Sequence, residues 1–338
     1  MEPILLPPNQ LRRFYRGGAR ISELRRTGND DPYAPEEWIA SMASPFGEPG
    51  IGISALPDGT SLSDRVAKEP EGFLGRAHVE RFGADVAVLI KLLDPAERLP
   101  VHLHPDDAFA QAHLGSRYGK TEAWIVFEAV PGAAVHVGFR DPPSAEQIGK
   151  WVATQDVDGM LAAMREVPVT AGDTIFVPAG TPHAIGTGIF IAELQQPTDF
   201  SILMEWEAFA ADDPEAAHLR LGFDLALEAV DGSSWDDARL AHARAVRDPD
   251  REGVETLFPA DADGFFRAER IRPAPSSLEQ AFSVLLVTRG EAVLSGDGWE
   301  RDLHRGDAVL VPFGAGPTEV SGDAEILRCM PPDPSVDR

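Results

Sequence analysis

The sequence predicts a mainly β protein built from two related β-barrel units with a few connecting helices. Three observations carry this prediction: short apolar runs between turn formers, one internal repeat, and few stretches of helical period. Glycine and proline number 31 and 29 and are scattered through the 338 residues. Between them lie 86–93 (VAVLIKLL), 124–127 (WIVF), 174–177 (TIFV) and 189–194 (IFIAEL). Apolar runs of this length, bounded by turn formers, read as strands of a sandwich or barrel.

The repeat joins two of these regions. Residues 172–183 read GDTIFVPAGTPH and residues 306–317 read GDAVLVPFGAGP, with the Gly-Asp pair, the β-rich run and the Pro-x-Gly turn in one register. Two copies of one β unit follow, each delivering its last residue to a defined place. His183 ends the first copy and Pro317 the second, and proline has no side-chain lone pair for a metal. The first copy is therefore the candidate active barrel and the second the structural one.

Helical period appears in 145–154 (AEQIGKWVAT), in 157–166 (VDGMLAAMRE) and in 214–230, where Leu219, Phe223, Leu227 and Val230 share a stripe. The third segment is expected to cap or join domains, continued by a polar connector through 231–255. A chain of this length exceeds the usual size of one hydrophobic core. The expected division is 1–210 for an N-terminal metal-binding unit with a helical insertion, 211–255 for a helical connector and 256–338 for a metal-free C-terminal unit.

Composition narrows the function. The formal net charge is −25, and the 30 basic residues form no cluster, which excludes nucleic acid and anionic lipid as partners. No stretch approaches the roughly 20 apolar residues of a membrane span. The one cysteine, Cys329, excludes an intramolecular disulfide framework, and MEPILLPPNQLRR lacks the basic leader and apolar run of a signal peptide. The cytoplasm is the expected compartment. An anionic substrate would need basic residues concentrated inside its cavity, against the overall field.

Upstream of the first repeat lies VHLHP, with His102 and His104 two residues apart. On a strand that spacing puts both imidazoles on one face. Glu122 stands at the entrance to the WIVF strand, and with His183 these residues form an N₃O donor set suited to one Zn²⁺, Mn²⁺, Fe²⁺ or Ni²⁺ ion per chain.

The segments LIKLLD (89–94), VHLHPDD (101–107), GKTEAW (119–124), 167–186 and ELQQPTD (193–199), with fainter echoes in EEWIAS (36–41) and SLSDRV (61–66), resemble the cupin superfamily. More narrowly, they resemble the type I mannose-6-phosphate isomerases of short bacterial type. The resemblance runs from about 14 to 206 and implies two jelly-roll cupin units, the second without metal. It makes His104, Glu122 and His183 zinc ligands and puts His102 where the family usually carries glutamine. Lys91, Lys120 and Glu193 correspond to residues of the family's catalytic pocket. In TDFSILMEW (198–206) the sequence departs from the family, which has an arginine inside a Thr-Tyr-Arg element; Leu203 and Met204 occupy the neighbourhood here. Arg117 and Arg220 are the expected substitutes.

The resemblance implies an aldose–ketose isomerase acting on a sugar or sugar phosphate through a cis-enediolate. Glu193 is the expected base, and Lys91 and Lys120 the expected source of positive field. With the arginine missing, mannose 6-phosphate is expected to turn over slowly. A non-catalytic sugar-binding cupin is the alternative. An Fe²⁺ dioxygenase stands behind it, because Glu122 lies far from the H-x-H pair whereas many such enzymes place their carboxylate a few residues after it.

Overall fold

The computed structural model describes residues 1–247, 253–272 and 275–337. Three antiparallel sheets make up the architecture, which is mainly β as expected. A six-stranded sheet runs in the order Gln10–Leu11, Glu36–Ile39, Leu89–Leu93, Ile189–Gln195, Glu122–Ala129, Thr174–Val177. A five-stranded sheet runs Ile202–Leu203, His102–Leu103, His183–Ile185, Ala134–Phe139, Met164–Pro168. The third sheet has eight strands and is built on the long pair Ser283–Gly296 and Thr318–Met330.

The six-stranded sheet is covered on both faces, which explains why its strands read as nearly unbroken apolar runs. Ile90, Leu92, Ile125 and Leu194 point into a core shared with Val284, Leu286, Leu310 and Leu327 of the third sheet. Leu93, Trp124, Val126 and Ile191 point the other way, into a core with Val135, Val137 and Ile185 of the five-stranded sheet. Burying one such large side chain contributes about 1.5–3 kcal/mol. Lys91 and Glu193 interrupt strands buried on both sides. A charge there is retained only where it has partners.

The repeat is a real structural duplication. Gly172 and Gly306 take φ 97° and 89°, a region that favours glycine. The Gly172 N–H donates to the Val126 carbonyl and that of Gly306 to the Val287 carbonyl, both at 2.8 Å. Asp173 and Asp307 accept from the backbone N–H three residues upstream, at Thr170 (2.7 Å) and His304 (2.9 Å). Each copy also carries a bulge at the matching place, with Phe127 left out of the Ile189–Gln195 ladder and Thr288 out of the Thr318–Met330 ladder. Glu122 pairs with Val177, and Ser283 pairs with Val311 at the matching position of the second copy.

The strands at 124–127, 174–177 and 189–194 and the helix Ala145–Thr154 form where expected. Two helical expectations need correction. The second helix stops at Ala163, because Met164–Pro168 is drawn into pairing with Ala134–Phe139. Residues 214–230 are not one helix but three short turns, Pro214–His218, Phe223–Ala226 and Leu227–Ala229. Left-handed backbone at Leu219 and Arg220 and a positive φ at Gly222 break it. Its apolar stripe is still used: Leu219, Phe223, Leu227 and Val230 pack with Trp151, Ile202 and Met204, so tertiary packing fixes turns that propensity alone would extend. The polar connector contains the helix Asp237–Ala243 and the strand Val254–Thr256, while 248–252 lie outside the described residues. No helix among the described residues is long and apolar enough to cross a membrane.

Candidate metal centre and active site

Sheet register assembles the histidines. His102 lies directly opposite His183 on one neighbouring strand and opposite Leu203 on the other. His104, two residues further along, falls on the same face, and ring centroids stand 4.1 Å (His102–His183), 5.0 Å (His102–His104) and 4.9 Å (His104–His183) apart. The Nδ1 atoms of His102, His104 and His183 meet the backbone carbonyls of Pro100 (2.8 Å), Phe200 (2.7 Å) and Thr181 (2.8 Å). A carbonyl only accepts, so each Nδ1 carries the proton and each Nε2 offers a lone pair. Burial pushes the His104 and His183 imidazoles down to about 3 and holds His102 well below its usual range, so all three are neutral at physiological pH.

Glu122 closes the set. Its Oε2 is 3.1 Å from His104 Nε2 and its Oε1 is 3.3 Å from His183 Nε2. Burial would raise this carboxyl, but the Lys120 ammonium, 2.7 Å from Oε2, outweighs it and helps hold it well below the usual carboxylate range. Acceptors facing acceptors at such distances repel unless a cation lies between them. His183 Nε2 is buried and receives no hydrogen bond. The Lys120 ammonium, 2.7 Å from both His104 Nε2 and Glu122 Oε2, is the positive charge that the described residues themselves bring to this point. The ligand atoms of the three histidines lie within 4.8 Å of one another. Three imidazole nitrogens and a carboxylate oxygen fit a four-coordinate divalent ion.

The opposite wall is a row across the six-stranded sheet. Trp38 pairs with Lys91, Lys91 with Glu193, and Glu193 with Trp124. Trp124 Nε1 donates to Glu122 Oε1 (2.9 Å) and to Glu193 Oε2 (3.2 Å), so one indole links the metal-side carboxylate to Glu193. Burial, then the nearby Glu122 charge, pushes Glu193 up to about 7. Lys91 lies 3.0 Å from Asp199, 3.7 Å from Glu36 and 3.9 Å from Glu193. Burial opposes its charge, but these three carboxylates override that and hold it above the usual lysine range. All seven residues singled out by the sequence thus converge. The six that line one cavity of about 510 Å³ are Lys91, His102, Lys120, Glu122, His183 and Glu193.

Sequence reasoning missed Arg13, Glu36 and Asp199. Arg13 binds Glu36 through Nε (3.0 Å) and Asp199 through its terminal nitrogen (2.9 Å), inside the same cavity. Tyr15 and Trp38 also donate to Glu36, at 2.7 and 2.8 Å. Glu36 and Asp199 lie within segments that carried the resemblance, EEWIAS and QQPTD, so a signal existed for them; nothing in the sequence marked Arg13. The expected substitutes for the missing arginine are not in the cavity wall. Arg117 is exposed, stacks on Tyr118 and donates to the Phe82 carbonyl. Arg220 is held by Asp213 at 2.5 Å, outside the lining.

Comparison with known proteins bears on the family and the fold. A family model described as "Mannose-6-phosphate isomerase, cupin domain" matches residues 264–331, which include the long strands of the third sheet. The mannose-6-phosphate isomerase of Streptococcus mutans is 31% identical over 288 residues, covering 81% of this chain and 85% of its own length. The crystal structure of the mannose 6-phosphate isomerase from Bacillus subtilis superposes with a TM-score of 0.77 at 21% identity, covering 97% of this chain and 99% of that one. A mannose 6-phosphate isomerase bound with zinc and yttrium superposes at 0.76 and 16% identity, covering 98% of this chain and 100% of that one. At that identity and coverage, the chain belongs to the mannose-6-phosphate isomerase family, aldose–ketose isomerases built on the cupin fold.

Proposed function

We propose that the cavity interconverts an aldose and a ketose, mannose 6-phosphate and fructose 6-phosphate or a related pair, with Glu193 as the proton-transfer base. The observation that carries this is the Trp124 indole, which holds Glu193 beside Glu122 and so keeps the base next to the metal centre. His102, His104, Glu122 and His183 would hold one divalent cation, with Zn²⁺ the first choice for this donor set. Such an ion supplies Lewis-acid charge stabilisation where negative charge develops.

The remaining chemistry falls to the chain. Glu193 takes the proton from C2 of the aldose, and the electron pair of that C–H bond forms the C1–C2 double bond of a cis-enediol(ate). The carbonyl π pair moves onto O1, which takes up a proton equivalent to the one that O2 gives up when the ketose carbonyl forms. Collapse returns the proton from Glu193 to C1 while the O2 proton leaves, giving the ketose with no net redox change. A base titrating near the working pH suits both directions, because it must accept and return one proton. Lys91 and Lys120 set the positive field, and Trp38 and Trp124 exclude water from the Lys91–Glu193 row.

The proposal includes the division at 1–210, 211–255 and 256–338, with the Ile4–Leu5 strand reaching across to pair with Ala308–Val311, and operation in the cytoplasm. The test is metal analysis of purified protein together with solvent-deuterium exchange into C1 and C2 of a panel of hexoses, pentoses and their phosphates. Metal-dependent exchange is the expected result. Tight sugar binding with neither exchange nor aldose–ketose interconversion would identify a binding module instead.

A further inference from the structure

We propose that a cleft between the two barrels, separate from the metal centre, binds a small phosphorylated metabolite. The cleft is a cavity of about 410 Å³ that shares no lining residue with the metal-side cavity. One wall comes from the six-stranded sheet and the turn beside it, with Phe127, Glu128, Gly172 and Phe190. The other comes from the third sheet and carries four arginines, Arg270, Arg272, Arg289 and Arg305. A cavity of this size suits a small molecule.

The arginines are scattered in sequence, and sheet register gathers them. Arg270 and Arg272 stand two apart at the end of the strand Arg267–Ile271. Arg289 lies directly opposite Glu325 in the long strand pair, and Glu325 Oε2 is 3.1 Å from Arg272 Nε. Arg305 precedes Gly306, whose N–H donates to the Val287 carbonyl, so it is held close to Thr288 and Arg289. Against these four guanidiniums the described lining sets two carboxylates, Glu128 and Glu325, in a chain whose acidic residues outnumber its basic ones 55 to 30. Arg270 is committed, to Glu255 at 2.6 Å and to the Gly172 carbonyl at 3.0 Å. The other three keep donors in hand. Arg272 bonds Glu325 through Nε, Arg305 reaches Glu23 only at 3.8 Å, and Arg289 is exposed with no ion-pair or hydrogen-bond partner among the described residues.

Guanidiniums massed on one wall repel one another, and an anion between them turns that repulsion into attraction. Their forked N–H donors match the oxygens of a phosphate. Both bulges of the duplicated unit open onto the cleft, because Phe127 and Thr288 each line it. Bulges re-aim side chains, and the residues that follow these two are Glu128 in the first copy and Arg289 in the second, so the later copy brings the opposite charge. Facing the arginines, Phe127 and Phe190 meet edge to face with ring centroids 5.5 Å apart. That apolar wall suits the organic part of a metabolite.

The experiment is calorimetric titration of the metal-loaded full chain with inorganic phosphate, glycerol 3-phosphate, AMP and uncharged adenosine, at low and at high salt. It is repeated for the double variant Arg289→Ala/Arg305→Ala, in which both replaced side chains are exposed, with circular dichroism to show that the variant is folded. The three phosphates should bind, the two organic ones more tightly than inorganic phosphate, and adenosine should not. Affinity should fall as salt rises, and the double variant should lose about tenfold or more. Inorganic phosphate binding as tightly as AMP and glycerol 3-phosphate would overturn the metabolite as occupant in favour of the free ion. Absence of phosphate binding, adenosine binding as tightly as AMP, or a folded double variant that binds all three phosphates unchanged would overturn the site itself.

Discussion

Replacing Arg13 with alanine leaves Glu36 and Asp199 buried around the space that their shared cation filled. The guanidinium meets them at 3.0 and 2.9 Å, with carboxylate side chains 4% and 8% exposed, so water cannot replace it easily. Breaking a buried ion pair by removing one partner costs about 3–5 kcal/mol. Lys91 remains 3.0 Å from Asp199 and 3.7 Å from Glu36, which places the loss near the lower end, at about 3 kcal/mol. With unfolding entropy near 2.1 cal/mol/K per residue, 338 residues translate that into a fall in Tm of about 4 °C. Calorimetry on Arg13→Ala, Arg13→Lys and the double variant Arg13→Ala/Glu36→Gln is the assay. The lysine variant should lose less, and the double variant should recover part of the loss, because one stranded charge is gone. The pH dependence has a definite sign. Burial alone would raise the Asp199 carboxyl, but Arg13 and Lys91 hold it below its usual range. A depressed carboxyl contributes stability that is full above its unfolded value and lost as pH falls through the folded one. The gap between wild type and Arg13→Ala should therefore be constant around neutrality and narrow below about pH 4. A Tm within about 1 °C of wild type, with unchanged kcat/KM, would refute the reasoning.

Three other outcomes are expected. His183→Ala removes one of four proposed ligand atoms and should lower metal content and activity together while the fold survives; full metal content in the folded variant counts against the ligand set. Metal analysis should give about one tightly bound ion per chain, because Ser283 and Pro317 stand where Glu122 and His183 stand in the first copy; two ions would mean the second barrel binds metal too. Glu193→Gln should retain the metal yet slow deuterium exchange by roughly 10²–10⁴-fold. In the wild type, kcat/KM should rise with pH through about 7, where Glu193 ionises, and a flat profile there would assign the base elsewhere.

Much of the site was legible because its chemistry is local in sequence. His102 and His104 share a strand face by spacing alone, and the repeat located His183 at the end of a Pro-x-Gly turn. The same repeat explained why the second barrel should lack a metal, and the duplicated glycine turns and bulges at Phe127 and Thr288 show how faithfully the backbone was copied. Arg13 was illegible for the opposite reason. It comes from an irregular segment with no periodicity, and only the fold carries it to Glu36 and Asp199, the latter 186 positions away in sequence. The apolar stripe of 214–230 misled because buried turns and buried helices show the same period, and here Gly222 and the left-handed Leu219 and Arg220 decided between them.

The strand Ile4–Leu5 has a consequence for how the molecule is made. Leu5 pairs with Val309, and Arg25 reaches back to the Leu6 and Gly306 carbonyls. On a ribosome this strand emerges about 300 residues before the strand that pairs with it. Ile4–Leu5 therefore stays unpaired until Ala308–Val311 has been made, although Gln10–Leu11 just beyond it can already pair with Glu36–Glu37. Joining the two ends closes a very long loop, a slow step that leaves an unpaired strand edge exposed meanwhile. Pairing of Ile4–Leu5 with Ala308–Val311 thus comes after the strands that carry His102, His104 and His183 have been made.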